Sequence, residues 1–548
     1  MKKTAITLLL AGITASAGAQ TMYDALNYSK SDYAGTARTV AMGNAFTALG
    51  GDLGAVTINP AGSAVARYSQ VTVTPGVNIS VNSATGTEAS YGFEKNLRTS
   101  MARFTMPNFG FTINFDTHRT SGLKNWTLGF VANQTANWQD DLVAGGSNTR
   151  TSLAGSLASF ANGYDVSALS ADNAYDMIPV SDWRAIAALQ SRVIGLTPDT
   201  NISDEYLGVT ENWSLVDNGD GTQHYEFGLG GAIDQTFGRR TLGNRYDYVI
   251  NLGGNISDVV FIGANLGITS MRYSHEYYIR ETAQDSDLFQ TQFNSLTYNY
   301  GYDASGVGVY GKFGIIAVPV NGLRIGAAIQ TPTSTSITET WRLSAEQTSY
   351  AEDYQSGSAE SPEGEYTYRL ISPFRFNVGA AYTFGSMGLI SLDYEMCNYK
   401  SMKFRETGTN DNSGFDTVNS DIRNNMGASH EVRAGVEIKP ISSLAIRAGY
   451  NFSTPAIPDD IEYENQYLWE RIEGNTHSAS LGLGYSSKGS FFADAAVRMT
   501  KYADTYIYPY DYYYLDGDQP MVDTSMPTPV ILSRRTLWNV LLTIGFRF

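Results

Sequence analysis

Residues 536–548 read TLWNVLLTIGFRF. Successive residues of an extended chain point to opposite faces. Trp538, Val540, Leu542, Ile544, Phe546 and Phe548 therefore form one unbroken apolar face, and Asn539, Thr543, Gly545 and Arg547 share the other. An outer-membrane barrel turns such a face to lipid and its partner to a lumen.

The same alternation recurs along the chain. It predicts strands at 68–81, 102–116, 124–135, 246–256, 259–270, 306–317, 322–332, 371–384, 388–398, 430–438, 444–452, 476–486, 490–500 and 536–548. Each is close to the ~9–11 residues that cross a bilayer when tilted. Their connections alternate in length. Short turns fall at 257–258, 319–322, 385–388, 439–443 and 487–489, and long polar loops at 271–305, 333–370, 399–429, 453–475 and 501–535. A further alternating stretch, 223–234, would reverse the sidedness of every later strand, so it is assigned to an insertion. The expectation is all-β: a 14-stranded antiparallel transmembrane β-barrel.

Composition agrees. Beyond residue 20 no apolar run reaches the roughly 18 residues of a membrane helix, and mean hydropathy is −0.22 with 36 tyrosines and 54 glycines. Met1 to Ala19 reads as a secretory signal: Lys2 and Lys3, an apolar core from Ala5 to Ile13, and Ala17-Gly18-Ala19 before the cut. The net charge of −17 argues against nucleic acid as a partner. Cys397 is the single cysteine, so no internal disulfide forms. Residues 136–245 break the rhythm and read as a partly helical extracellular insertion. Leu153, Leu157 and Phe160 are helically spaced, as are Trp183, Ile186, Leu189 and Val193, with Ser181 as cap and Gly195 as stop. Asp217-Asn218-Gly219-Asp220-Gly221 lacks the ligand spacing of an EF-hand and reads as a tight turn.

Residues 35–62, GTARTVAMGNAFTALGGDLGAVTINPAG, are rich in Gly and Ala and nearly uncharged. Met42, Phe46 and Leu49 fall at helical spacing, and Asn59 is placed to cap a second short helix with Pro60 at its first position. These pieces are too small for a core of their own. An ordinary N-terminal arm and a plug housed in the barrel both fit.

This segment resembles the N-terminal hatch of the FadL-type outer-membrane transporters, including the Asn-Pro-Ala motif at Asn59, Pro60 and Ala61. LRIGAAIQTPT at 323–333, SPFRFNVGAAYTFG at 372–385 and the terminal LLTIGFRF carry the resemblance over essentially the whole mature chain. It looks like a Bacteroidetes-type member, whose relatives are sometimes labelled haemin receptors. The resemblance implies a helical hatch at 20–67 inside a barrel spanning 68–548, in the outer membrane of a Gram-negative bacterium. It implies passive, ligand-gated uptake of hydrophobic compounds such as long-chain fatty acids, with lateral exit through the wall at the third strand. Gating would rest on Asn59, Pro60 and Ala61, with Gly43, Gly50 and Gly51 as flex points or simple packing positions. The lateral opening is expected near Gly129 and Phe130, beside Pro107, whose ring removes a ladder donor. Partners implied are a fatty-acid-like ligand, outer-membrane lipid, and the barrel-assembly machinery through the strand ending at Phe548. A monomer without cofactor or metal is expected.

An enzyme is not expected. His118, His224, His275, His430 and His477 are scattered, and no nucleophile motif occurs. A surface receptor built on the insertion and a diffusive porin remain as alternatives. The Tyr-rich loop 502–518 suits either ligand stacking or an interfacial belt. Arg239, Arg240 and Lys124 are candidate carboxylate partners, or ordinary lumen charges.

Overall fold

A computed structural model describes residues 20–548 apart from 88–91, 200–201, 221, 352–353, 409–412, 459–469, 517–518 and 524. Residues 1–19, the expected secretory signal, lie outside the described residues. The alternating segments form fourteen antiparallel strands: β1 (Gln70–Gly86), β2 (Leu97–Asp116), β3 (Leu123–Asn137, carried on by Asp140–Asn148), β4 (Ile233–Ile256), β5 (Val260–Ala283), β6 (Phe293–Val320), β7 (Leu323–Gln330 and Ser334–Ser349), β8 (Gly364–Ile371 and Arg375–Thr383), β9 (Gly388–Asn398 and Lys403–Glu406), β10 (Ala428–Ile441), β11 (Leu444–Ser453), β12 (Glu470–Glu473 and Thr476–Ser486), β13 (Phe491–Lys501 and Asp504–Ile507) and β14 (Ile531–Arg547). Each pairs with its sequence neighbours. β14 pairs with β1 from Arg547↔Gln70 to Ile531↔Gly86, which closes the barrel.

The wall is inside-out in polarity. On β14, Trp538, Val540, Leu542, Ile544 and Phe546 are exposed, while Asn539 and Thr543 are buried. Asn78, Asn108, Asn133, Asn251 and Asn265 are likewise buried on inward faces. Apolar area left in water costs roughly 25 cal/mol per Å², so this belt suits hydrocarbon. Closure pairs the backbone that lipid cannot satisfy. Among the described residues no helix is long and apolar enough to cross a membrane.

Strands β4 to β7 run far past the belt. The segments 271–283 and 293–305, expected as part of a polar loop, continue β5 and β6; Ser334–Ser349 and Gly364–Ile371 likewise continue the wall through most of 333–370. Their alternation inverts. On β5, Tyr273 and Ile279 are buried inward, and Arg272, Glu276 and Arg280 face outward and are exposed. Above the belt the wall has the polarity of a water-soluble sheet, which is why an apolar-outward pattern does not reveal it.

The insertion is shorter than 136–245. Pairing of β3 with β4 continues through Asn148↔Ile233, leaving 149–232 as the inserted segment. The N-terminal residues contribute α1 (Met22–Ser29), α2 (Ala37–Ala41) and α3 (Gly62–Val65); the insertion holds α4 (Leu153–Ala161), α5 (Val166–Leu169), α6 (Ala174–Met177) and α7 (Trp183–Gln190). Ser181 lies in a 3-10 turn ahead of α7 rather than capping it, and Arg192, at φ +60°, turns the chain before Gly195. Residues Gln223–Leu229 pair with Glu211–Asp217 in a separate hairpin, outside the barrel ladder. At its tip the Asp217 carboxylate accepts the Gly219 N–H at 2.8 Å, a turn-forming contact; Gly221 lies outside the described residues.

Candidate functional site

The N-terminal segment lies within the lumen. Short helices and turns leave many carbonyls without internal partners, and wall side chains supply them. Lys312 Nζ donates to Thr57 O at 2.7 Å, Asn265 Nδ2 to Val56 O at 2.8 Å, and Asn251 Nδ2 to Pro60 O at 3.1 Å. Asn59 spans both bodies: its Oδ1 accepts the Ala61 N–H at 3.1 Å, while Nδ2 donates to Thr47 O at 2.6 Å and to the wall carbonyls of Ile315 and Ala327 at 3.2 and 3.4 Å. It organises the turn before α3, which begins at Gly62, two residues later than a cap at Asn59 would place it. Ion pairs complete the attachment: Arg498 with Asp32 at 2.8 Å and Arg38 with Glu437 at 3.0 Å.

Wall glycines make room for this packing. Gly253, Gly263, Gly314, Gly326, Gly379, Gly435, Gly449 and Gly482 face the segment, and a Cβ on any of them would strike it. Gly263 pairs with both Gly253 and Gly314, Gly326 with Gly379, and Gly435 with Gly449, so much of this surface is contiguous. The expected helix through Met42, Phe46 and Leu49 is absent. Gly43 and Asn44 take φ +62° and +60°, which ends α2 at Ala41, yet the three side chains still pack together with Tyr33 and Ile58. Gly43 is wedged against Ala434 and Tyr450, and Gly50 against Gly62. Gly51, at φ +73°, donates its N–H to Gly62 O at 2.8 Å, and the space a Cβ would fill there is open, beside a recess at the short-turn end of the barrel.

Pairing between β2 and β3 is incomplete. The ladder runs from Asp116↔Asn125 to Asn108↔Asn133 and stops at Pro107, which has no N–H to give. Higher up, an isolated bridge joins Lys95 to Gly145. Between these points side chains hold the seam: Gln139 Nε2 donates to Met101 O at 2.6 Å, Thr105 Oγ1 to Gln134 Oε1 at 3.0 Å, and Tyr246 OH to Met106 O at 3.3 Å. The opening was expected near Gly129 and Phe130. Gly129 and Phe130 sit in continuous ladders, four and three rungs below the break.

The N-terminal segment touches the seam. Asp32 and Ala34 donate their N–H groups to Thr135 O and Gln134 O at 2.8 and 3.0 Å, where β3 shifts register against β4. Buried Arg245 of β4 donates to Tyr28 O, Lys30 O, Ser31 Oγ and Thr135 Oγ1 at 2.6–3.0 Å. One guanidinium thus ties the end of α1 to the β3 bulge.

Between α1, the insertion and the long-loop walls lies a cavity of about 1030 Å³. One wall is aromatic. Tyr273, His275 and Tyr277 of β5 stand beside Tyr302, Tyr300 and Tyr298 of β6, with neighbouring ring centres 5.1–6.3 Å apart. Ala136 and Asn137 of β3, with Trp138 just beyond, also line it, so the cavity reaches the unpaired seam. The odd–even run of tyrosines in LTYNYGYD was the readable signal for this wall, missed because 271–305 reads as loop. In the Tyr-rich loop, Tyr502, Tyr508, Tyr510 and Tyr513 line the cavity, and Tyr510 OH accepts from Gln235 Nε2 at 2.7 Å. Arg239 lines it too, paired with Glu470 and Asp140; Lys124 pairs with Asp258 at 2.5 Å near a short turn, and Arg240 with Asp141 at 3.6 Å. No group of three or more metal-ligating side chains occurs among the described residues.

Similar barrels are known. The toluene transporter TbuX of Ralstonia pickettii is 13% identical, with 94% of this chain and 99% of that one covered at a TM-score of 0.46. A Pseudomonas aeruginosa FadL homologue is 10% identical, with 93% and 98% covered and a TM-score of 0.49. The toluene transporter TodX of Pseudomonas putida is 11% identical, with 93% and 97% covered and a TM-score of 0.45. Such distant likeness transfers no residue's role. No protein-family model matches the sequence, and no curated protein matches it.

Proposed function

We propose that this protein sits in a bacterial outer membrane and passes hydrophobic or amphipathic small molecules inward without an energy source. The carrying observation is continuity: the aromatic cavity, closed below by the N-terminal segment, extends to the side-chain-held seam between β2 and β3. Ligand enters between the long loops and gains roughly 0.8 kcal/mol per methylene buried. Disturbing α1 acts through Arg245 on the β3 bulge and loosens the seam. Met106 and Phe104, 38% and 71% exposed on the outer face of β2, offer the escaping ligand a path into hydrocarbon. Long-chain fatty acids and other apolar compounds are the cargo this reading allows, and the strand ending at Phe548 is its point of recognition during barrel assembly.

The test pins the seam. Thr105→Cys with Gln134→Cys, in a Cys397→Ser background, places one thiol on each side of the seam; the glutamine arm spans the present 3.0 Å contact, so a short bis-methanethiosulfonate reagent takes its place. Uptake of a fluorescent apolar probe into vesicles should fall on cross-linking and return on reduction. Unchanged uptake with the cross-link formed would rule out exit at this seam. Ion conductance through the barrel axis would favour a diffusive porin.

A further inference from the structure

Apolar burial and the seam leave the charge of the cargo open. Taking the cavity as the transport site, we propose that among the amphiphiles it admits, fatty acids included, it favours a positively charged head group over a carboxylate of the same shape. The six-ring wall is built of phenols and one imidazole, ring types whose π quadrupole attracts cations. Carboxylates stand next to it. Asp24 Oδ1 accepts the Tyr302 hydroxyl at 3.0 Å, and Glu470 and Asp140 flank Arg239 beside Tyr273.

Four of the cavity's five cations are already engaged, Arg239 among them. Arg375 faces Glu395 at 2.9 Å, Arg535 faces Asp140 at 3.6 Å, and Arg184 lies over the Phe160 ring at 3.5 Å. Lys30 is within electrostatic reach of Glu470. Among the described lining residues nine carboxylates stand against five Lys or Arg side chains; Arg433, on Glu395 and Glu431, and Arg498, on Asp32, add two guanidiniums from outside the lining and still leave an acidic excess. In a recessed site of lowered dielectric that excess repels an incoming carboxylate, and like-charge repulsion is a strong source of selectivity.

The experiment uses the full chain in lipid nanodiscs and three probes sharing one phenylalkyl body, ending in trimethylammonium, hydroxyl or carboxylate. Quenching of tryptophan fluorescence reports binding, since Trp138 and Trp341 line the cavity. The ammonium should bind tightest and the carboxylate at least about tenfold weaker, about 1.4 kcal/mol. Asp24→Asn with Glu470→Gln should shrink that gap. Should this variant fail to fold, the wild-type gap must still narrow as salt is raised. A carboxylate binding as tightly as the ammonium overturns the charge preference and leaves the transport reading standing. Absence of binding by all three probes overturns both.

Discussion

Asn59 of the N-terminal segment lies against Gly314 of β6 so closely that a methyl group at 314 would overlap its side-chain oxygen. The same carboxamide bonds two wall carbonyls and one of its own segment's. Asn59→Ala should destabilise by about 1–3 kcal/mol, the range for leaving buried partners unsatisfied, read as a lower melting temperature in detergent. Gly314→Ala should act on the same contact from the other side. If the two losses add in the double variant, the sites are uncoupled and this account is wrong.

Arg245 is the link between α1 and the seam. Arg245→Ala strips four partners at once. Hydrogen exchange should accelerate at residues 28–34 and at 134–137 together, with little change at β9 to β11. Faster exchange confined to one of the two segments would show that they are not coupled through this side chain.

Tyr246 latches the seam from β4 through one hydroxyl. Tyr246→Phe removes that bond, worth about 1 kcal/mol, and keeps the ring stacked near Tyr248. Probe uptake should rise severalfold while the melting temperature moves little. Reduced uptake would mean that the hydroxyl serves the ligand rather than the latch.

Glu211, in the insertion, is pushed up to about 7 by burial, opposed by the Gly208 N–H that its carboxylate accepts. Gly155 leaves space for it beside Tyr512. A carboxyl raised in the folded state stabilises that state fully below its unfolded value, near 4.5, and the contribution fades as pH climbs through about 7. Exchange at α4 should therefore be slower at pH 5 than at pH 8. Glu211→Gln should flatten the difference; a profile unchanged by the substitution would assign the effect to another group.

Strand number and membrane-facing pattern were legible in the sequence because both follow from a local rule. Side chains alternate along every strand, and hydrocarbon outside selects one set strictly, so Trp538 to Phe546 announce their face without knowledge of any neighbour. Gly43 marked the N-terminal segment, but its wedge against Ala434 and Tyr450 joins residues about 400 positions apart. Above the belt the selecting solvent is water and the pattern inverts, which hid the tyrosines of β5 and β6. Pro107 was a visible defect, whereas the place where the ladder fails depended on β3 keeping its pairing with β4 while losing β2 beyond Asn133. The sequence by itself determined a closed barrel, since lipid imposes one condition on each strand separately. Only the tertiary structure decided where the lumen is filled, where the wall is unpaired and which rings face one another, because those depend on register and close approach between segments distant in the chain.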